Sequence, residues 1–154
     1  MKEPVIPQDD KARVKTLQCL NILDTQREER FDRIARLAAQ LFQCEFASIS
    51  FIDEKRQWFK SLVNLSLEQT TRETAFCAHT INHASTFIVP DTHQSETFKG
   101  NPFVINAPHI RFYAGTPIVV NGHRIGALCV FDSKPRTFSP QEEGQLSDLC
   151  RLVE

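Results

Sequence analysis

At 154 residues, with 41% hydrophobic and 24% charged positions, the chain has the length and composition of about one domain with a proper core. Its 18 basic and 19 acidic residues leave a net charge of −1, which excludes any bulk electrostatic argument for nucleic acid or an anionic membrane. The sequence has no apolar run of bilayer-spanning length and no signal-peptide stretch after Met1-Lys-Glu-Pro4, and its five cysteines (Cys19, Cys44, Cys77, Cys129, Cys150) are odd in number and widely spaced, so the expectation is a cytoplasmic chain with reduced thiols, not a disulfide framework or a cysteine zinc site.

Residues 1–8, with Pro4 and Pro7, read as a flexible lead-in. A helix follows from Asp9 or Asp10 and carries Val14, Leu17, Leu20 and Leu23 on one stripe. Asp24-Thr25 interrupts it. Thr25 with Glu28 forms a capping-box pattern, and Phe31, Ile34, Ala35, Ala38, Leu41 and Phe42 recur at helical spacing, which predicts a second helix over about 26–42. Phe46–Ile52 reads as a strand, Asp53–Arg56 as a turn, and Gln57–Val63 as the returning partner. A loop is expected over 64–73. Thr74 then caps a short helix of roughly 75–84 that carries Phe76, Cys77, His79 and His83. Phe87–Val89 is a brief strand ended by Pro90-Asp91, and the polar stretch to Pro108, with Gly100-Asn101-Pro102, predicts a structured loop with one helical turn.

The strongest local signal is Arg111–Asp132, where apolar, β-branched runs flank Asn121-Gly122, a pair that tolerates the positive φ of a type I′ hairpin turn. With those two residues as the loop, Val120 faces His123, and the register runs through Ile118/Ile125, Thr116/Ala127, Ala114/Cys129 and Phe112/Phe131 on one face. The other face then carries Val119/Arg124, Pro117/Gly126, Gly115/Leu128, Tyr113/Val130 and Arg111/Asp132. The first is expected to pack on helices and the second to wall a site. Ser139-Pro140 with Glu142 opens the last helix, about 140–154, with an N-cap, a first-turn proline and a capping box. No stop signal follows it, so the helix is expected to continue toward an output domain. Leu146, Leu149 and Val153 fall at a/d spacing.

Leu23-Asp-Thr25, Phe31-Asp32, Phe76-Cys-Ala-His79, Asn101-Pro102, Arg111-Phe-Tyr-Ala-Gly115 and Gly126-Ala-Leu-Cys-Val-Phe-Asp132 resemble, in order and spacing, the GAF domains that precede bacterial sensor histidine kinases and diguanylate cyclases. The resemblance implies an α/β (α+β) fold over residues 9–154: a central antiparallel sheet of five or six strands, terminal helices on one face, and short helices and loops roofing a pocket on the other. It also implies a sensory module that binds a small molecule and signals to an output domain. The pattern departs at Ser95–Pro102, where the Asp and Arg of the family's Asp-x-Arg-Phe-x-x-Asn-Pro are missing, which argues against a charged ligand clamp there. The signatures of cyclic-nucleotide-binding and bilin-binding relatives are absent as well, so no cofactor is expected.

Candidate ligand residues are Trp58, Arg72, Phe76, Cys77, His79, Asp91, Phe98, Asn101, Arg111 and Tyr113. Cys77 and His79 suggest a thiol–imidazole pair, yet residues two apart on a helix point about 200° apart, so a buried, inert thiol is the alternative. His79 and His83 share a helix face without a visible third ligand, which argues against a metal site. Arg111 either pins the hairpin to Asp132 or meets ligand, Asp91 is either a turn residue or a cleft residue, Trp58 is core or pocket wall, and Arg72 is either solvated or an anion contact. Tyr113 needs a hydroxyl partner if buried. Val14, Leu17 and Leu20 on the first helix and Leu146, Leu149 and Val153 on the last either cover the sheet or pair two copies as a homodimer. The domain itself is read as non-catalytic. The competing functions are a thiol enzyme of the free methionine sulfoxide reductase type and a ligand-free dimerisation module.

Overall fold

A computed structural model describes all 154 residues. Eleven elements form: α1 (Asp10–Cys19), α2 (Glu29–Phe42), β1 (Phe46–Ile52), β2 (Arg56–Val63), β3 (Gln69–Thr71), α3 (Phe76–Thr80), β4 (Phe87–Val89), α4 (Pro102–Ile105), β5 (Phe112–Val120), β6 (His123–Asp132) and α5 (Pro140–Arg151). The strands make one six-stranded antiparallel sheet in the order β3-β2-β1-β6-β5-β4. α1, α2 and α5 cover one face over a core that includes Leu17, Phe31, Phe42, Ile49, Phe112 and Leu146. α3 and α4 cover the other, over Phe59, Phe76, Phe98, Tyr113 and Phe131. No helix is long and apolar enough to cross a membrane.

The hairpin turns at Asn121-Gly122, with φ of 51° and 78°, as its residue types require. Val120 pairs with His123 and Val119 with Arg124, but Ile118 then pairs with Gly126 and not Ile125. Ile125 is the extra residue of a bulge. It shifts every later pair by one position, so Leu128 and Val130 turn toward the terminal helices while Cys129 and Phe131 turn toward α3. The register expected from the turn alone is therefore corrected from Ile125 onward; Phe131 stacks on Phe46 on the face away from the terminal helices. Gly126 allows the bulge against β1, because a Cβ there would stand 2.1 Å from the Ser50 carbonyl oxygen.

A second bulge leaves Lys60 unpaired between Ser61 and Phe59 on β2. Both Lys60 and Ser61 consequently face α2. The Lys60 ammonium, fully buried, donates to the Thr25 hydroxyl at 2.8 Å and to the Gln26 carbonyl, and pairs with Glu28 at 2.7 Å. This overturns the expected Thr25/Glu28 capping box: α2 starts at Glu29 with no side-chain cap, and both residues are occupied with Lys60 instead. Thr74 likewise caps nothing, since Ala75 precedes α3 and the Thr74 hydroxyl meets Thr71. The Ser139 box and Pro140 form at α5 as expected.

The N-terminal segment is held by charge as well as by apolar contact. Asp10 accepts from Arg13 Nε at 2.8 Å and from Arg72 Nη1 and Nη2 at 2.9 and 2.7 Å. Arg13 and Arg72 are buried, and Arg13 Nη2 has no partner. Arg56 clamps Asp24 at 2.8 and 2.9 Å. The lead-in expected to be loose lies against the roof, where Lys2 N–H donates to the Thr97 carbonyl and Asn82 Nδ2 to the Val5 carbonyl. The apolar stripes of the terminal helices are turned largely inward: Leu17 and Leu146 are 0% exposed within the domain itself, Val14 is buried, and Leu149 and Val153 pack half-buried on the same core, leaving Leu20 outward.

Candidate functional site

An apolar cleft opens between α3, α4 and the sheet, and it is the site with the clearest chemistry. Its floor is Phe59 and Leu62 on β2, Tyr113 on β5, and Cys129 and Phe131 on β6. Ala75, Phe76 and Cys77 form one wall, Phe103, Pro108 and Ile110 another, and Leu65 and Leu67 stand on the β2–β3 connection. The free volume is about 50 Å³. That is room for a few waters, against the roughly 300–1,000 Å³ of an ordinary small-molecule pocket.

Few polar groups enter this cleft, and each has a partner. The Tyr113 hydroxyl lies 2.7 Å from Thr80 Oγ1 and 3.2 Å from Cys77 Sγ. Cys77 Sγ is 3.9 Å from Cys129 Sγ, which in turn lies 2.9 Å from Ser48 Oγ. Gln57 Nε2 donates to Ser50 Oγ at 2.8 Å, and Thr70 Oγ1 donates to Gln57 Oε1 at 3.1 Å. The hydrogen bond shared with Cys129 draws the Cys77 thiol below its ordinary value against the opposing effect of burial, whereas burial raises Cys129 and Tyr113 well above theirs.

Of the ten candidate ligand residues, Phe76, Cys77 and Tyr113 line the cleft. Phe98 stacks on the outer side of Phe76 at 4.3 Å, and His79 meets Phe98 edge-on at 4.8 Å, so these two back the wall without reaching the cavity. Burial, with His83 adding to it, holds the His79 imidazole down to about 4 and so neutral at pH 7. Asn101 positions the far wall: it caps α4 by accepting from Phe103 N–H at 2.9 Å and donates to the Thr74 carbonyl at 3.0 Å.

The remaining four lie elsewhere. Trp58 faces the terminal helices, opposite Phe51, because it is one residue out of phase with the cleft-facing Gln57 and Phe59. The Arg72 guanidinium is buried on Asp10 and on the Asp53 and Glu54 carbonyls, so it is neither solvated nor free for an anion. Arg111 pairs with Asp91 at 3.1 and 3.2 Å, not with Asp132. Asp91 also caps the following turn through His93 N–H, and Asp132 accepts from the Glu45 and Lys134 amides. Cys129 was missed as a site residue because the bulge decides its face. The signal for it was Gly126 inside an otherwise apolar strand.

The GAF domain model matches residues 26–154. Over 155 aligned residues, 99% of this chain, the sequence is 36% identical to a cyclic di-GMP phosphodiesterase of Pseudomonas aeruginosa, and it spans 26% of that protein's length. Among solved structures it resembles the GAF domain of an Acinetobacter phosphoenolpyruvate-protein phosphotransferase, with a TM-score of 0.64 at 17% identity over 92% of this chain and 90% of that one. It also resembles the free methionine-R-sulfoxide reductase of Neisseria meningitidis, with a TM-score of 0.66 at 15% identity over 100% and 94% of the two chains. At such identities the two structures speak for the fold alone; the family model, which matches far more than half of the sequence, together with the six-stranded sheet and its two helical layers, shows that the chain belongs to the GAF domain family.

Proposed function

We propose that this domain is the regulatory module of a longer signalling protein, in which occupancy of the apolar cleft biases an output domain. The observation that carries the reading is that one pair of strands serves both faces. β5 and β6 present Tyr113, Cys129 and Phe131 to the cleft, and from the opposite side Phe112, Ile118 and Leu128 to the core under the terminal helices. α5 is fastened to the same strand, where Cys150 Sγ donates to the Thr116 and Pro117 carbonyls at 3.6 and 3.5 Å. A guest that spreads β5 from β6 therefore shifts the seat of α5, provided that it binds the two arrangements with different affinity. The similarity of nearly the whole chain to part of a cyclic di-GMP phosphodiesterase favours cyclic di-GMP turnover as the regulated output. The guest is small and mostly apolar, since most of the lining is apolar and the polar groups of Ser48, Gln57, Thr70 and Tyr113 already bond to neighbouring side chains.

A thermal-shift screen of small apolar compounds tests the reading, with Leu65→Trp as the control that blocks the mouth. A ligand at a hundredfold over its dissociation constant stabilises by about 2.7 kcal/mol, or about 5–10 °C for a domain of this size. The shift is expected to vanish in Leu65→Trp. A hit whose shift survives that substitution places binding elsewhere.

A further inference from the structure

The cleft holds a pair of thiols that regulation by a bound guest does not require. Cys77 at the start of α3 and Cys129 on β6 are 52 positions apart in the chain, yet their sulfurs approach to 3.9 Å, and each is 1% exposed. The other two buried thiols are isolated from any second sulfur: Cys44 bonds the Phe42 carbonyl and the Arg136 guanidinium, and Cys150 bonds β5. We propose that Cys77 and Cys129 are a peroxide-oxidisable dithiol, which closes to an intramolecular disulfide and fastens the roof of the cleft to its floor. The proposal stands independently of any guest in the cleft.

Geometry selects the order of events. The Tyr113 hydroxyl, 3.2 Å from Cys77 Sγ and itself 2.7 Å from Thr80 Oγ1, is placed to donate to a Cys77 thiolate. Cys77 is also the thiol of the pair held low, and Cys129 the one raised by burial. Cys77 is thus the attacking sulfur. Its thiolate attacks one peroxide oxygen, the O–O bond breaks, and the departing hydroxide takes up the proton that Cys77 released, leaving a sulfenic acid and one water. Cys129 then attacks the sulfenic sulfur. The S–S bond forms, the S–O bond breaks, and the hydroxyl leaves with the Cys129 proton as a second water. Two thiols and one hydrogen peroxide become one disulfide and two waters, each sulfur giving up one electron.

The surroundings choose this product and this oxidant. A cleft of about 50 Å³ with an apolar lining admits a small uncharged hydroperoxide and resists bulky or anionic oxidants. A disulfide is neutral and suits such a site, while a metal held by two thiolates brings charge into it, and no cluster of three potential metal ligands is present. Closing from 3.9 Å to a bond of ~2.05 Å draws the five-residue α3 toward β6.

The test uses the folded chain with the exposed Cys19 replaced by serine. After a peroxide pulse and quenching, denaturing alkylation and peptide mapping read each cysteine. The expected result is loss of both alkylation sites, a linked peptide pair containing Cys77 and Cys129 that a thiol reductant separates, and oxidation at least about tenfold faster than at Cys44 and Cys150. In Cys129→Ser, Cys77 is expected to stop as a sulfenic acid that dimedone traps, and in Tyr113→Phe its oxidation slows several-fold. Mapping of the Cys19→Ser protein decides the matter even if the other variants fold poorly. Cys77 and Cys129 remaining fully alkylatable, or reacting no faster than Cys44 and Cys150, would overturn the proposal.

Discussion

Replacing Asp10 with alanine removes the only carboxylate between two buried guanidinium groups. The Asp10 side chain is 16% exposed and accepts three hydrogen bonds, one from Arg13 and two from Arg72. Its loss leaves Arg13, 1% exposed, with a single contact of 3.5 Å to the Arg124 carbonyl, while Arg72 keeps the Asp53 and Glu54 carbonyls. Breaking a buried pair costs about 3–5 kcal/mol, and the remaining Arg72 contacts argue for the lower end, so about 3 kcal/mol is expected. For a chain of this length that is a fall of about 6–12 °C in Tm. Asp24→Ala is the comparison. It removes a carboxylate that is 67% exposed, opposite an Arg56 that keeps Asp53 and Gln69, and is expected to cost under about 1 kcal/mol. Burial raises the Asp10 carboxyl, but the hydrogen bonds from Arg72 and Arg13 outweigh it and hold the folded value below the ordinary one. The stability from this carboxylate is therefore present above the unfolded value, near 3.9, and is lost as pH falls through the lower folded value. Urea unfolding of both variants decides. Equal losses, or an Asp10→Ala variant within experimental error of the parent, would refute the reasoning. Arg13→Met/Asp10→Leu/Arg72→Met, which removes the whole cluster, is expected to return stability to within about 1 kcal/mol.

Gly126→Ala brings a Cβ to 2.1 Å from the Ser50 carbonyl oxygen, where backbone must yield, and is expected to cost about 3 kcal/mol, whereas Gly144→Ala, in open space on α5, should stabilise by about 0.5–1 kcal/mol; chemical denaturation reads both. Leu146→Ala should cost about 2–5 kcal/mol as a core truncation, while Leu152→Ala, at a site 67% exposed, should change the urea midpoint little. The His79 imidazole, held to about 4, should titrate by NMR far below the free value; because its folded value lies under its unfolded one, stability is whole above about 6.5 and declines as pH falls toward 4, a slope that His79→Phe removes.

Local chemistry made most of the architecture legible. Asn121-Gly122 gave the turn, Ser139-Pro140 and Glu142 gave the start of α5, and helical spacing from Phe31 to Phe42 gave the face of α2. Features set by long-range contact were hidden. Thr25 and Glu28 obey a capping pattern, yet a buried ammonium from Lys60 on a distant strand competes for both, and its attraction outweighs a local cap. Arg111 and Asp132 are neighbours across the hairpin, but Asp91 is nearer once β4 joins the sheet. The bulge at Ile125 had the largest effect on the site, since a single unpaired residue exchanges the faces of everything after it. Phe76, Cys77 and Tyr113 were identifiable because they lie outside its reach, while Cys129 was assigned to the wrong face for the same reason that it now meets Cys77.

The central claim is that the cleft and α5 communicate through β5 and β6 to an output. If, as proposed, that output is cyclic di-GMP turnover, its most direct measurement is the cyclic di-GMP hydrolysis rate of the Pseudomonas aeruginosa phosphodiesterase with its matching region exchanged for this domain, compared with the same exchange carrying Leu65→Trp and with a variant lacking that region. Deletion is expected to change the rate, and Leu65→Trp to abolish the response to any guest identified by thermal shift. Identical rates in all three proteins, with and without that guest, would contradict it.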